Sequence, residues 1–174
     1  MALINYYKSP ADFITMRLTP EIKTLAPKKL IGIHKTISLA ADETATLWKN
    51  FMTQIKSIDA YRNEAFYALQ TYPDDYFTSF DPHKTFEKWA AVELKDSIKL
   101  SEGFESFAFE GGQYAIFKYQ GLSTDTRIFQ YIYAEWLPKS GYKLDNRPHF
   151  ELLGDKYKNN DPQSEEYIYI PIKA

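Results

Sequence analysis

Residues 147–173, RPHFELLGDKYKNNDPQSEEYIYIPIK, decide the fold. They read as two short strands, His149–Leu153 and Tyr167–Ile172, joined by a polar turn at Asp161-Pro162. Strand positions alternate between faces. Glu151 therefore shares a face with His149 and Leu153, while Phe150 and Leu152 share the other. In the last strand Ile168, Ile170 and Ile172 line one face and Tyr167 and Tyr169 the other. The isoleucines suit a covering helix, and the tyrosines then meet something else, most simply a cleft. A carboxylate at Glu151 is either solvated surface or the one charge in a binding groove.

Working back along the chain, the same elements occur twice. Leu30 through Ile37 reads as a strand by its β-branched content. Asp42 is a candidate N-cap for a helix in which Leu47, Trp48, Phe51, Met52, Ile55 and Ile58 recur at three- and four-residue spacing. Phe66–Tyr72 and Trp89–Leu94 read as strands, with a turn at Asp81-Pro82 between them. Then Phe104–Phe109 is extended, Gly111-Gly112 turns the chain, and Tyr114–Tyr119 is a strand. A helix follows, with Phe129, Ile132, Tyr133 and Trp136 on one face, stopped by Pro138 and Gly141. The expectation is an α+β fold of tandem strand–helix–strand–strand repeats about a pseudo-twofold, with a central ligand groove. The domain covers 28–174, with repeats at about 28–96 and 104–174. Residues 1–27, with Pro10, Pro20 and Pro27, read as a wrapping N-terminal arm in which Asp12–Met16 adds a short helix or edge segment.

Counting seven residues beyond each Asp-Pro turn reaches Trp89 and Tyr169. Counting back aligns Phe66–Leu69 with Phe150–Leu153 and makes Tyr67 the counterpart of Glu151. Alternation then puts Tyr67, Trp89, Glu151, Tyr167 and Tyr169 together on the cleft, with Tyr114 at its rim. A one-residue slip would invert the assignment.

The pieces Gly112-Gln-Tyr114, Gly121, Trp136-Leu137-Pro138, Ser140-Gly141-Tyr142, Pro148-x-Phe150-Glu151 and Tyr169-Ile170-Pro171-Ile172 stand in an order that resembles GyrI-like small-molecule-binding domains. KKLIGIHKTISL and FEKWAAVEL fit in the first half, so the resemblance spans about residues 22–173. That family resemblance implies a ligand groove at the pseudo-twofold and makes Glu151 its acid. Its members include effector-binding halves of multidrug-responsive transcription regulators, stand-alone gyrase inhibitors, and hydrolases of cyclopropane-bearing toxins. This chain shows no DNA-binding module, and it carries extra length between Trp89 and Tyr114, including Ser97–Phe107, at the groove edge.

Composition removes other classes. The 174 residues include no Cys, which excludes disulfides, thiolate catalysis and Cys-based zinc sites. His34, His83 and His149 do not combine into a metal site. No Gly-x-Ser-x-Gly elbow or phosphate loop occurs, and no cofactor is implied. The net charge of −2 and the lack of a basic run argue against direct nucleic-acid contact. No secretory leader or membrane-length apolar run is read, so a cytoplasmic protein is expected. Aromatic residues reach 17%, dominated by 14 Tyr, which suits half-buried surfaces where a ring keeps a wet hydroxyl. The expected function is sensing or sequestering amphipathic, aromatic, cationic or neutral small molecules. One alternative is hydrolysis with Glu151 as general base and a Tyr as acid partner. Another is protein interaction, with gyrase or a regulator as partner.

Overall fold

A computed structural model describes residues 18–58, 61, 64–95 and 102–174. The strands are β1 (Glu21–Leu25), β2 (Lys28–Ser38), β3 (Phe66–Thr71), β4 (Thr85–Glu93), β5 (Glu105–Phe109), β6 (Gly112–Gln120), β7 (Lys143–Leu144), β8 (His149–Leu153) and β9 (Glu165–Lys173). Helix α1 is Thr44–Ile55. A second helical segment runs from α2 (Arg127–Gln130) through a π-helical stretch (Tyr131–Trp136) into α3 (Leu137–Lys139). The fold is α+β, mostly antiparallel sheet. Residues Asp12–Met16 lie outside the described residues, whereas Glu21–Leu25 of the expected arm forms an edge strand on β6.

The strand order is β1-β6-β9-β8-β3-β4-β2-β5, with β7 paired to β9. The halves meet at the central β3–β8 ladder. Each half also lends its first strand to the other: β1 pairs with β6, and β5 with β2. Only Ala26-Pro27 joins β1 to β2, and only Glu110-Gly111 joins β5 to β6. The sheet therefore has to curl until its two edges approach at that end. Gly111 sits in this junction at φ +76°, and a Cβ there would fall 2.4 Å from the Leu25 carbonyl oxygen. Only glycine fits both the conformation and the space.

Alternation sorts the core into two layers. Ile31, Ala90 and Val92 pack under Leu47, Phe51 and Ile55 of α1. Ala115, Phe117, Ile168, Ile170 and Ile172 pack under Ile128, Ile132, Tyr133 and Leu137. On the opposite face Leu30, Tyr67, Leu69, Trp89, Phe109, Tyr114, Ile116 and Phe150 form the inside of the curl. Phe109, from the far edge strand, reaches the Phe150 ring at 5.5 Å, so the curl closes on its own aromatic side chains.

The two Asp-Pro turns are built alike. Asp81 Oδ1 accepts from the His83 amide at 2.8 Å, and Asp161 Oδ1 from the Gln163 amide at 2.7 Å. Asp42 Oδ1 accepts from the Thr44 amide at 2.9 Å, but Asp42 stands two residues before the helix and Glu43, not Asp42, holds the N-cap position. The second helix departs from the expected stripe. Its buried residues are Ile128, Ile132, Tyr133 and Leu137, while Phe129 and Trp136 flank them half-buried. Pro138 has no N–H and crowds the carbonyl four residues back, and the turn ahead of it widens to π geometry. That adds a residue to one turn and carries the stripe from Trp136 to Leu137.

Candidate functional site

Between the two helix-covered patches lie the central strands. On their helix-side face β3 presents Phe66, Ala68 and Gln70, and β8 presents His149, Glu151 and Leu153. Ala68 and Leu153 join neither helix cluster. The small Ala68 pairs with Glu151 across the ladder, and Ile168 flanks Glu151 on the other side. That leaves a strip of sheet between the two helix clusters with a partly buried carboxylate at its centre. Trp48 of α1 bounds one side through Phe66, ring to ring at 6.4 Å. His149 closes one end. Its Nδ1 lies 2.8 Å from the Tyr133 hydroxyl, and Phe77 stacks on its ring at 5.7 Å. Burial pushes its pKa down to about 3, so the ring is neutral.

Polar groups converge on Glu151. Gln70, buried, donates from Nε2 to Glu151 Oε2 at 3.2 Å. Glu166 of β9 points to the same face, one diagonal step away, because it shares the parity of Ile168. It is 7% exposed, and no described residue gives its carboxylate a hydrogen bond or ion pair. Burial, then the Glu151 charge, pushes its pKa up to about 7, against a smaller opposing pull from Lys88 on β4. Tyr157, in the β8–β9 connection, has its pKa raised by burial and senses both acids, while a hydrogen bond to Ser123 pulls the other way.

The register corrects the expected lining. Trp89 pairs with Leu69, and Tyr169 pairs with Phe150. Superposing the halves through Trp89 and Tyr169 puts Leu69 on Phe150, so Gln70, not Tyr67, is the counterpart of Glu151. Counting back from the turns therefore landed three residues short, on Tyr67, and an odd slip moves a residue to the other face. Tyr67, Trp89, Tyr114, Tyr167 and Tyr169 do share a face, but Glu151 is on the other. Tyr67 is buried and accepts from Lys28 Nζ at 3.2 Å. Trp89 stacks on His34 at 4.3 Å. Tyr114 donates to the Pro148 carbonyl at 3.0 Å beneath the Arg147 guanidinium. Tyr169 stacks on Phe150 at 4.2 Å, and Tyr167 is exposed. Sequence reasoning missed Gln70, Lys88, Tyr157 and Glu166. Glu166 had a visible signal, being an acid in phase with the buried isoleucine stripe. Tyr157 had none, since it sits in a loop.

The fold is a curled antiparallel sheet with two helical elements on one face, parted over a strip that carries a carboxylate. A family model of the GyrI-like small molecule binding domain matches residues 18–173, and the chain belongs to that family. Among solved structures it is similar to SAV2435 bound to tetraphenylphosphonium, with a TM-score of 0.69 and 17% identity, covering 91% of this chain and 95% of that one. It is similar to the C-terminal domain of EcmrR (TM-score 0.60, 15% identity, 91% and 99% coverage). It also resembles a hydrolase encoded by lin2189 from Listeria innocua (TM-score 0.60, 11% identity, 92% and 95% coverage). No curated protein matches the chain. No helix among the described residues is long and apolar enough to cross a membrane.

Proposed function

We propose that this domain binds amphipathic aromatic cations in the groove over β3 and β8, with Glu151 as the anchor. The observation that carries the reading is a carboxylate pair, Glu151 and Glu166, set among Ala68, Leu153 and Ile168 on the helix-side face of the sheet. A carboxylate in a poorly hydrated groove attracts a cation far more strongly than one in bulk water. Trp48 and Phe66 on one side and Tyr157 and Tyr133 toward the other offer rings, each contributing about 0.5–2 kcal/mol to a cation over its face. Delocalised lipophilic cations suit such a site because they give up little hydration on entry. SAV2435, bound to tetraphenylphosphonium, supports the choice of ligand class.

Calorimetric titration tests this with tetraphenylphosphonium and the neutral triphenylphosphine oxide, into the native chain and Glu151→Gln. The native chain should bind the cation saturably and more tightly than the neutral compound. Glu151→Gln should lose about tenfold or more in cation affinity, the equivalent of ~1.4 kcal/mol or more, with little loss of melting temperature. Unchanged cation affinity in Glu151→Gln would remove Glu151 as the anchor. One observation favours hydrolysis as a second reading: Glu166, with a pKa near 7, lies in electrostatic reach of a tyrosine, the setting of an acid–base pair. Turnover of a strained-ring electrophile that disappears in both Glu166→Gln and Tyr157→Phe would establish it, and no turnover by the native chain would reject it.

A further inference from the structure

Two acids share the groove, and they are not equivalent. Glu151 is half-exposed and held by Gln70. Glu166 is buried without a hydrogen-bond or ion-pair partner among the described residues, one diagonal step from Glu151 on the neighbouring strand. Diagonal neighbours on one sheet face sit roughly 7–8 Å apart, close enough for one ligand cation to face both carboxylates. The groups around Glu166 come from every strand nearby: Tyr119 opposite it on β6, Glu151 on β8, Lys88 reaching from β4, and Tyr157 from the β8–β9 connection.

Charge counting then follows. With Glu166 protonated, Glu151 and Lys88 cancel, and the groove is neutral. With Glu166 ionised, the groove carries one net negative charge, the complement of a monovalent cation. Neither state favours a second ligand charge, because Lys88 already supplies one.

We infer that the groove exchanges a proton on Glu166 for the ligand cation, so that uptake of a lipophilic monocation and release of a proton are one event. The inference rests on the cation-binding reading above and deepens it by naming how the site is regulated. In proton-rich surroundings the neutral groove releases cations and accepts neutral aromatic molecules. As pH rises through neutrality it becomes a cation site. The raised pKa of Glu166 places the crossover near pH 7. Lys88 lowers that pKa, so its removal moves the crossover upward and strengthens cation binding.

Titration of tetraphenylphosphonium into the full chain at pH 6, 7 and 8, in two buffers of different ionisation enthalpy, measures affinity and proton release together. For a single linked group near pKa 7, affinity should rise about tenfold from pH 6 to pH 8, and close to one proton should leave per cation at pH 6. Glu166→Gln should abolish both the slope and the proton release, and Lys88→Met should shift the midpoint to higher pH. Saturable, Glu151-dependent binding with no pH slope and no proton release would overturn the exchange while leaving the binding reading intact. No saturable binding at any of these pH values would overturn both.

Discussion

At the scale of single residues, Glu166 and His149 give the fold opposite responses to pH. The folded pKa of Glu166, about 7, is above its unfolded value of 4.5, so the folded state holds a proton the unfolded state has lost. Its contribution is present below pH 4.5 and is lost as pH rises through 7, an effect on the order of 3 kcal/mol. His149 works the other way. Its folded pKa, about 3, is below 6.5, so its contribution is present above pH 6.5 and drains away as pH falls toward 3. Chemical denaturation from pH 5 to 8.5 should show the native chain losing stability at the alkaline end. Glu166→Gln should remove that loss, and equal alkaline losses in both proteins would mean that Glu166 ionises without cost and the groove is wetter than its burial indicates. A buried acid kept at this cost, in the space left between the two helices, is what a binding site looks like and what a packed core avoids.

At the scale of elements, two strands approach most tightly where their side chains are smallest. Gly32 on β2 faces Ala91 on β4, and a Cβ on Gly32 would lie 2.2 Å from the Ala90 carbonyl oxygen. Gly32→Ala should destabilise the fold by about 2–3 kcal/mol, because backbone rather than a flexible side chain must yield. A thermal shift within a degree of the native value would show that β2 moves freely against β4. The strands were legible because their alternation is strong: Ile168, Ile170 and Ile172 faced a helix as read, and so did Ala90 and Val92. The assignment of Glu151 to the aromatic face failed because alternation inside a strand cannot fix its phase relative to a strand across a loop. That phase depends on loop length, and a three-residue slip, from Gln70 to Tyr67, inverted it. The same limit hid the π-helical stretch, since Pro138 marks a disturbance in a helix without saying whether the helix ends or widens there. Edge strand β1 hid for a different reason. Glu21-Ile-Lys-Thr-Leu25 alternates weakly, and its partner β6 lies about ninety residues on.

At the scale of the whole molecule, the exchange of first strands ties the halves together. β1 leaves the first half to pair with β6, β5 leaves the second to pair with β2, and the β3–β8 ladder joins the middle. Neither half can open without stripping a strand from the other. Unfolding should therefore be a single transition, with tryptophan fluorescence, to which Trp48, Trp89 and Trp136 contribute from both halves, coinciding with far-UV circular dichroism. Separated midpoints would show that the halves are independent units. In the proposed site, the joined sheet places Glu151 on the strands between the two helical elements. The chain contains two aromatic surfaces, one on each face of the sheet, and the account assigns the ligand to the helix-side face alone. The structure of the chain in complex with tetraphenylphosphonium tests this most directly. The account predicts the phosphorus centre over β3 and β8, between α1 and the π-helical stretch, facing Glu151 and Glu166. A cation seated on the other face, among Tyr67, Trp89 and Tyr169, would contradict it.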